Sequence, residues 1–349
     1  MSPGRRTSGA GRDPAPAGRC LITGATGFIG GHLAGRLAGE GGRVRCLARS
    51  SSDTSQIAGL DVELVEGDLQ DPDSLTRAAE GCRKVFHCAA MVSDWATVDE
   101  ITRVNVQGTQ HLLTAAAAAS VERFVHFSTT DVYGHRGPQA IDESYAGGRF
   151  SNWYAQTKLS AEHAVRAAEA THGLAAVILR PATVYGPRSQ EVIGDIARAI
   201  RGGNMLLIDG GRPVAGLVYV DNLIDAAVLA ASHDAAPGHA FNVTDGLGVT
   251  WRQFTDDLAR GLGCPGPRWS LPFGAANGIA FALEHGYRLL RRTTGVRTRP
   301  LLSRQAVHVL GADQRFSNDK IRNRLGWAPR TGYEDGLDAT LAWLRSEVW

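Results

Sequence analysis

Short apolar, β-branched runs alternate with longer segments of helical periodicity over the first half of the chain. The runs of strand length are Cys20–Thr23, Arg43–Leu47, Val62–Val65, Val85–Cys88, Phe124–Ser128 and Ala175–Leu179. The segments of helical periodicity include Phe28–Leu37, Val98–Ala119 and Tyr154–Ala170. Apolar strands separated by helix-length segments are typical of βαβ units. Because such units cross over in one hand, the pattern predicts an α/β fold with a doubly wound parallel sheet between two layers of helices.

The alternation becomes looser beyond Pro187, where glycine, proline and arginine interrupt the chain more often. The chain is expected to return to the sheet at Leu217–Val220 and at His239–Val243, with the helix after Asp221 between these two strands. The other C-terminal segments are expected to form a smaller α/β lobe over the carboxyl ends of the strands, where open sheets bind their ligands. The predicted domains are a nucleotide-binding domain of residues 18–185 plus 217–245 and a substrate lobe of residues 186–216 plus 246–349.

Two segments bear on targeting and on membranes. Residues 1–17 are rich in Gly, Pro, Ser and Arg and lack the apolar core of a secretory signal, so a flexible leader is expected. The longest apolar stretch, Leu271–Leu283, is shorter than the roughly 20 residues that a membrane-spanning helix needs. We expect no membrane span and interpret this stretch as a helix that covers the substrate pocket; an interfacial amphipathic segment is the alternative.

Composition narrows the class of protein. The 349 residues are 43% hydrophobic and 21% charged, which is ordinary for a soluble globular chain. The formal net charge of +2 gives no electrostatic reason to expect a nucleic-acid partner. The five cysteines show neither a CxxC pair nor a metal-ligand spacing. We therefore expect reduced thiols, a cytoplasmic location and no metal.

A glycine-rich turn joins the first predicted strand to the first predicted helix in LITGATGFIGGHLAGRL. Gly24 permits the tight turn, Gly27 lets the backbone approach a pyrophosphate, and Gly30 lets the helix pack closely on the strand. The N–H groups and dipole at the helix start would then bind the phosphates. The turn predicts a dinucleotide site of the Rossmann type, with contacts from Gly24, Thr26, Gly27, Phe28, Ile29 and Gly30.

The end of the second strand, RVRCLARSSSD, bears on which nucleotide binds. NAD-selective sites carry an acidic residue there, whereas this chain has Ala48. Arg49 follows, and a guanidinium can bind a 2′-phosphate through a charge-assisted fork, with Ser50 beside it. We therefore expect NADP(H) in preference to NAD(H).

A second contact with the nucleotide is expected just after the third strand. Asp68 and Leu69 are placed there to border the adenine. A simple turn, with Asp71 capping the helix that follows, is the alternative interpretation.

Tyr154 and Lys158 are four residues apart on a predicted helix, so their side chains lie on one face, one turn apart. A neighbouring cation favours the phenolate and lowers the pKa of a tyrosine from about 10. The pair is suited to acid–base chemistry at a carbonyl group. The preceding strand ends in STTDVYG and supplies the hydroxyl of Thr129 to hold the reacting oxygen, with Ser128 or Thr130 as alternatives.

From about residue 18 to its C-terminus the chain resembles the extended short-chain dehydrogenase/reductase family. The matching motifs are TGATGFIG, GDL at 67–69, HCAA at 87–90, NVQGT at 105–109, STTDVYG, YAQTK, LRPATVYGP at 179–187 and LVYVDN at 217–222. The resemblance implies that Tyr154 passes a proton while hydride moves between nicotinamide and substrate. It implies that Lys158 bonds the nicotinamide ribose and lowers the Tyr154 pKa, and that Thr129 positions the substrate oxygen. Further cofactor contacts that the family pattern implies are Ala89, Ala90, Asn105, Pro181, Thr183 and Val184. For Asn105, which can also support a proton path, bracing of the site is the favoured interpretation.

Three motifs of the C-terminal half are similar to the 3β-hydroxysteroid dehydrogenase-like branch: GGRPVAGLVYVDN at 210–222, FNVTDGLGVTWRQF at 241–254 and RFSNDKIRNRLGWAP at 315–329. This branch implies oxidation of a secondary alcohol, or reduction of a ketone, on a largely apolar small molecule. The missing acid at the NAD-selecting position favours reduction by NADPH. The residues expected to contact substrate are Val92, Ser93, Asp94, Trp95, Thr130, Tyr185 and Arg188.

Two other functions compete with this hypothesis. The first is a nucleotide-sugar epimerase or dehydratase with tightly bound NAD, favoured by Asp131 and by an arginine-rich stretch at 288–300 that can bind a diphosphate. Dehydratases of the family, however, carry Asp-Glu directly after the threonine. The second is a redox sensor or scaffold that binds NADP without turnover, against which the intact Thr, Tyr and Lys argue. Relatives pair through two long helices, so a homodimer is expected.

Overall fold

The computed structural model describes residues 18–92, 96–134, 140–148, 150, 152–294 and 303–347, with the backbone alone over 288–294. Its strands are β1 (Cys20–Thr23), β2 (Val44–Ala48), β3 (Val62–Glu66), β4 (Lys84–His87), β5 (Arg123–Phe127), β6 (Ala176–Pro181), β7 (Thr183–Tyr185), β8 (Leu206–Ile208), β9 (Leu217–Tyr219), β10 (His239–Val243) and β11 (Trp269–Leu271). Its helices are α1 (Phe28–Gly39), α2 (Pro72–Ala79), α3 (Val98–Thr102), α4 (Gly108–Ala118), α5 (Trp153–His172), α6 (Asp195–Arg201), α7 (Val220–Ala230), α8 (Trp251–Gly261), α9 (Phe273–Thr294), α10 (Arg304–Gly311), α11 (Asp319–Leu325) and α12 (Tyr333–Ser346).

Seven strands form one parallel sheet in the order β3-β2-β1-β4-β5-β6-β10. The predicted doubly wound α/β fold is confirmed. The strand order reverses between β1 and β4, so the helices that follow these two strands leave on opposite faces of the sheet. A crevice opens at that point beyond the carboxyl ends of the strands, and this is where such sheets bind nucleotides.

Alternate residues along the strands pack into separate cores on the two faces of the sheet. Ile22, Phe86 and Val125 belong to one buried cluster, and their neighbours Leu21 and Val85 belong to the other. This follows from the two-residue repeat of side-chain directions along a strand. Because both faces of the sheet are buried, the strand sequences are continuous runs of apolar residues. The sheet is therefore a rigid support for the residues at its carboxyl edge.

The expected return of Leu217–Val220 to the main sheet is wrong. The strand β9 pairs instead with β7 in a separate two-stranded parallel sheet, while β10 takes the edge position beside β6. The Thr183 N–H donates to the Gly216 carbonyl at 2.8 Å, which draws the chain beyond β6 away from the main sheet and toward β9. The predicted division into two domains stays a prediction.

Helix α9 packs against neighbouring elements through small residues. Ala276 and Ala280 are fully buried and pack with Ile208 and Val307. Among the described residues, no helix has the length and apolar character needed to cross a bilayer.

The contact between Gly30 and Gly24 yields a paired test of the first turn. A Cβ at Gly30 would lie 2.2 Å from the Gly24 carbonyl oxygen, whereas a Cβ at Gly35, on the same helix, would meet nothing within 4 Å. Gly30→Ala is expected to lower the free energy of unfolding by about 1–3 kcal/mol through overpacking. Gly35→Ala is expected to raise it by about 0.5–1 kcal/mol through helix propensity. Urea unfolding measures both, and equal effects at the two positions would contradict the packing described.

Candidate active site

The first turn of α1 presents backbone N–H groups to the crevice. Gly24 has a left-handed φ of 72°, and a Cβ there would lie 2.6 Å from the Ala89 nitrogen. Gly27 is extended at the helix start, no side chain caps α1, and its first turn carries no acid. Thr26, Phe28 and Ile29 flank the turn. A pyrophosphate fits this cradle, because the glycines leave the space and the N–H groups supply the donors.

A cavity of about 310 Å³ lies beyond the ends of β2 and β3. It is lined by Arg49, Ser50, Glu66, Gly67, Asp68, Asp71, Ser74 and Arg77. Three of the predicted nucleotide contacts therefore share one cavity. Asp71 also caps α2 by accepting the Asp73 and Ser74 N–H groups, so the turn and the cavity coexist. Leu69 is buried in the core beneath.

Two charged residues that line this cavity were not predicted from the sequence. Glu66 is the last residue of β3 and pairs in register with Ala48 of β2. The neighbouring strand therefore supplies an acid to the cavity, beside the position where β2 has none. Arg77 comes from α2 and adds a second guanidinium to that of Arg49. Neither arginine side chain forms an ion pair with any described residue. Strand register alone could have indicated Glu66; the position of Arg77 depends on how α2 packs.

The three candidate catalytic residues lie where β5 ends and α5 begins. Tyr154 is the second residue of α5, which packs against the 3-10 turn Thr130–Tyr133. Thr129 is extended just beyond β5, and its hydroxyl accepts the Asp131 N–H at 3.1 Å. Lys158 Nζ donates to the Phe127 carbonyl at 2.5 Å, which brings the helix against the strand end two residues before Thr129.

The geometry distinguishes Thr129 from the alternative hydroxyls. Ser128 is buried and donates to Glu162 Oε1 at 2.5 Å. Thr130 is buried as well, whereas Thr129 is partly exposed. Thr129 is therefore the hydroxyl most accessible to a ligand.

Burial governs the acid–base properties of the pair. It lowers the pKa of Lys158 to about 8, against the opposing influence of Glu162. It also raises the pKa of Tyr154 above the ordinary tyrosine value, and the Asp131 and Glu191 carboxylates raise it further. The expectation that Lys158 lowers the Tyr154 pKa is not met in this structure, because desolvation dominates and the lysine amine donates to a carbonyl. Tyr154 is thus held as a protonated phenol.

Two buried histidines lie behind the lysine. His87 bonds Thr23 Oγ1 through Nδ1 and Thr109 Oγ1 through Nε2, both at 2.8 Å. The Thr109 hydroxyl donates to the Asn105 carbonyl, so it must accept from His87 Nε2–H. Burial lowers the pKa of His87 to about 3 and that of His126, 5.3 Å away between ring centroids, well below its usual range. Both rings are neutral, and Lys158 is the cation of this region.

A buried ion pair connects three elements of the site. Arg180 of β6 forms a fork with Glu162 of α5, at 3.0 Å from Nε to Oε1 and 2.6 Å from Nη2 to Oε2. Glu162 also accepts from Ser128 beyond β5, and Arg180 Nη1 donates to the Tyr133 hydroxyl at 3.0 Å. Lys158 and Glu162 are four residues apart, so both lie on one face of α5. This spacing could have indicated from the sequence that Glu162 lies beside Lys158.

Asn105 braces the loop after β4 against α5. It lies in a π turn, Arg103–Gln107, that interrupts the helix expected over 98–119. Its amide accepts the Met91 N–H at 2.7 Å and donates to the Met91 carbonyl and to Thr157 Oγ1. These contacts fit the bracing interpretation of Asn105.

Helix α10 reaches the site through Gln305, a residue that sequence reasoning missed. Gln305 Nε2 donates to Asp131 Oδ2 at 3.0 Å, and its Oε1 accepts from Asn152 Nδ2. Asn152 caps α5 by accepting the Ala155 N–H at 2.7 Å. The C-terminal segment is thereby linked to the helix start that carries Tyr154; no local sequence signal predicts a contact over this separation.

The predicted substrate contacts have mixed outcomes. Val92 is exposed, and Ser93, Asp94 and Trp95 lie outside the described residues. Arg188 has a left-handed φ of 69° and donates to the Gln56 carbonyl at 3.4 Å, on the side of the segment that follows β2.

The expectation that Tyr185 contacts the substrate is wrong. Its side chain is fully buried, with the rings of Tyr219 and Phe254 at 5.4 and 5.9 Å between centroids. The reason is the pairing of β7 with β9, which turns Tyr185 into the core. Of the neighbouring cofactor predictions, Pro181 is buried at the end of β6 and Thr183 and Val184 are partly exposed in β7. Ala89 and Ala90 are partly exposed after β4, beside the glycine turn.

The chain is similar to several known proteins. The model of the NAD dependent epimerase/dehydratase family matches residues 20–244. The 4-hydroxy-2-methyl-3-oxo-4-farnesyl-3,4-dihydroquinoline-1-oxide ketoreductase of Stigmatella aurantiaca is 33% identical over 92% of this chain and 95% of its own. The 2-alkyl-3-oxoalkanoate reductase of Stenotrophomonas maltophilia is 31% identical over 91% and 97%.

Two further similarities concern the branch and the fold. A 3 beta-hydroxysteroid dehydrogenase/Delta 5-->4-isomerase of Mycobacterium tuberculosis is 32% identical over 89% of this chain and 86% of its own. Among solved structures, the dTDP-glucose 4,6-dehydratase DesIV of Streptomyces venezuelae, with NAD and TYD bound, superposes with a TM-score of 0.76. It is 27% identical and covers 94% of this chain and 97% of its own.

The buried Glu162–Arg180 pair yields a stability test with a control on the same helix. Glu162→Gln leaves the Arg180 charge buried without its partner, so the free energy of unfolding should fall by about 3–5 kcal/mol. Glu169 pairs with Arg166 at 2.7 Å nearer the surface, and Glu169→Gln should cost about 1 kcal/mol or less. Urea unfolding compares the two. A loss at Glu162 no larger than at Glu169 would show that the buried network does not hold the site together.

Proposed function

The chain belongs to the NAD-dependent epimerase/dehydratase family and is an NAD(P)-dependent oxidoreductase acting on CH–OH and C=O groups, and on this premise we propose that it reduces the ketone of a largely apolar small molecule with NADPH. The observation that supports the proposal is the position of three residues at the carboxyl edge of the sheet. Thr129 lies just beyond β5, and Tyr154 and Lys158 lie in the first two turns of α5, where Lys158 Nζ donates to the Phe127 carbonyl.

The proposed mechanism divides the work among these three side chains. When bound, the nicotinamide cofactor supplies the hydride. The Thr129 hydroxyl orients the substrate oxygen, and the Tyr154 phenol donates a proton to that oxygen as it gains negative charge. Lys158 would hold the nicotinamide ribose. The buried Tyr154 phenol is protonated, as donation of a proton to the substrate oxygen requires.

Exposed apolar side chains near the site support an apolar substrate. Trp153 precedes Tyr154 and is 45% exposed, and Val192, beside Glu191, is 41% exposed. Val92 follows Met91, the residue that Asn105 holds, and is 54% exposed. An apolar ligand bound beside these side chains would cover them. The name of the Stigmatella ketoreductase likewise describes a substrate with a farnesyl chain.

The preference for NADP(H) rests on the two guanidiniums of the cavity beyond β2 and β3. Arg49 and Arg77 can bind a 2′-phosphate through charge-assisted hydrogen bonds. Glu66 opposes this, because a carboxylate repels a phosphate and accepts a hydrogen bond from a ribose 2′-hydroxyl. Asp68 and Asp71 line the cavity as well, so the preference for NADPH rests on the two guanidiniums and on Ala48 in place of an acid at the end of β2, not on the net charge of the cavity. We further propose that the protein is a homodimer located in the cytoplasm.

Removal of the Tyr154 hydroxyl tests the mechanism. Tyr154→Phe should lower kcat for an uncharged 3-oxo ester with a long alkyl chain by about 100-fold or more, because the acid catalyst is lost. The NADPH dissociation constant should stay unchanged. Oxidation of NADPH, followed by absorbance, gives kcat, and intrinsic fluorescence gives the dissociation constant. Tyr333→Phe removes a hydroxyl that bonds Asp257 away from the site and should leave kcat as it was.

Three results would contradict the reductase proposal in different ways. Unchanged kcat in Tyr154→Phe would remove the mechanism. NADPH binding by the wild type with no turnover of any ketone would indicate a binding protein. Tightly bound NAD after purification, with interconversion of UDP-glucose and UDP-galactose, would indicate a nucleotide-sugar epimerase.

Two substitutions test the choice of nucleotide. Arg49→Ala should weaken NADPH binding roughly 10- to 100-fold, since a hydrogen bond to a charged group is lost, and should leave NADH binding unchanged. Glu66→Gln should strengthen NADPH binding by removing a repulsion. Fluorescence titration of both nucleotides measures these effects. A wild type that prefers NADH, together with weaker NADH binding in Glu66→Gln, would instead assign Glu66 to the ribose and the protein to NAD.

A further inference from the structure

The starts of two helices meet beside the proposed catalytic residues. Helix α5 carries Tyr154 as its second residue and is capped by Asn152, whose Oδ1 accepts the Ala155 N–H at 2.7 Å. Helix α10 carries Gln305 as its second residue and is capped by Ser303. The Gln305 side chain contacts the cap of the other helix, since its Oε1 accepts a hydrogen bond from Asn152 Nδ2. A residue from the C-terminal part of the chain therefore contacts the cap of the helix that carries Tyr154.

Gln305 also contacts the segment that follows β5. Its Nε2 donates to Asp131 Oδ2 at 3.0 Å, and the Asp131 backbone N–H donates to Thr129 Oγ1 at 3.1 Å. One amide group thus joins the segment that carries Thr129 to the helix that carries Tyr154. Asp131 and Gln305 are 174 residues apart in the chain, so this connection exists only in the folded protein.

The chemistry of Asp131 fixes the direction of each hydrogen bond in this series. A carboxylate only accepts hydrogen bonds, so Gln305 must turn its NH2 group toward Asp131 and its carbonyl oxygen toward Asn152. Asn152 must then turn its own NH2 group toward Gln305, which leaves its carbonyl oxygen for the Ala155 N–H. An amide that flipped would bring two donors or two acceptors together at one contact. The carboxylate therefore selects the one orientation of Asn152 that caps α5.

Helix α10 holds Gln305 in place. Val307, two residues further along this helix, is fully buried and packs with residues of α9 and β8. The rings of His308 and Phe273 meet in a T-shaped contact with their centroids 5.2 Å apart. Because these contacts fix the backbone of α10, the Gln305 amide is supported by a part of the chain outside both β5 and α5.

We propose that Gln305 is a positioning residue for the reaction at Tyr154. It transfers no proton itself and acts through Asn152 on the start of α5 and through Asp131 on Thr129. The proton donor and the hydroxyl that orients the substrate oxygen must keep one relative geometry, because a displacement of about 1 Å can lower a rate about 100-fold. The effect on turnover rests on the proposed function, whereas the effect of Gln305 on the start of α5 does not.

An exchange of the two partner groups tests the proposal on the full chain. Gln305→Ala removes both hydrogen bonds, and Gln305→Glu sets a second carboxylate against Asp131. Each should lower kcat for the uncharged 3-oxo ester with a long alkyl chain by about 10-fold and leave the NADPH dissociation constant unchanged. In the double variant Asp131→Asn/Gln305→Glu the new asparagine amide donates to the new carboxylate, which still accepts from Asn152. Its kcat should therefore return to within about threefold of the wild type, because each hydrogen bond again has a donor and an acceptor.

Hydrogen–deuterium exchange gives a second measurement that needs no substrate. Gln305→Ala and Gln305→Glu should speed exchange in peptides from the start of α5 about fivefold, because loss of a helix cap lowers local stability by about this factor. The double variant should restore the wild-type rate. As a matched control, Gln253→Glu makes the same change at an exposed position in the first turn of α8 and should alter neither kcat nor exchange at α5.

Three results would overturn the positioning role. The first is a wild-type kcat in Gln305→Ala, even with faster exchange at the start of α5, because the contact would then be structural only. The second is a lower kcat without faster exchange, which would assign the effect to another contact. The third is a loss in Gln305→Glu that the double variant leaves uncorrected, which would show that the direction of these hydrogen bonds does not govern the site.

Failure of the reductase proposal is distinguishable from failure of this one. A wild type that reduces no ketone would contradict the reductase proposal. The exchange measurement would then decide by itself whether Gln305 acts on α5, and unchanged exchange in Gln305→Ala would overturn this inference as well.

Discussion

The fork between Arg180 and Glu162 is the interaction on which the geometry of the site depends. It joins β6 to α5, and the Ser128 hydroxyl adds the end of β5 to the same carboxylate. A buried ion pair tolerates little displacement, because separation of its members leaves a charge in a medium of low dielectric constant. The strand end that carries Thr129 and the helix that carries Tyr154 and Lys158 are consequently held in one arrangement.

The interior of the site is organised around a small number of charges. Burial keeps His87 and His126 neutral and lowers the pKa of Lys158 toward the physiological range, where Glu162 favours its charged form. Tyr154 is pushed the other way, toward the protonated phenol.

The candidate catalytic residues and the helices beside them come from different parts of the chain. Thr129, Tyr154 and Lys158 lie at the sheet edge and on α5, which the two apolar cores support. Helices α9 and α10 pack on each other and on β8 through Ala276, Ala280, Val307 and Ile208, and α10 also bonds Asp131 through Gln305. Relatives of similar sequence are named for different substrates, so the fold alone does not specify the substrate.

The sequence by itself determined the parallel sheet, the glycine turn and the Tyr154–Lys158 face, because each depends on short-range spacing along a strand, turn or helix. Tertiary structure alone decided what depends on contacts between distant segments. It brought Glu66 and Arg77 to the cavity of Arg49, buried Tyr185 through the pairing of β7 with β9, and joined Gln305 to Asp131. It also set the pKa of Tyr154, since desolvation is a property of the packed surroundings and not of the residue next along the chain.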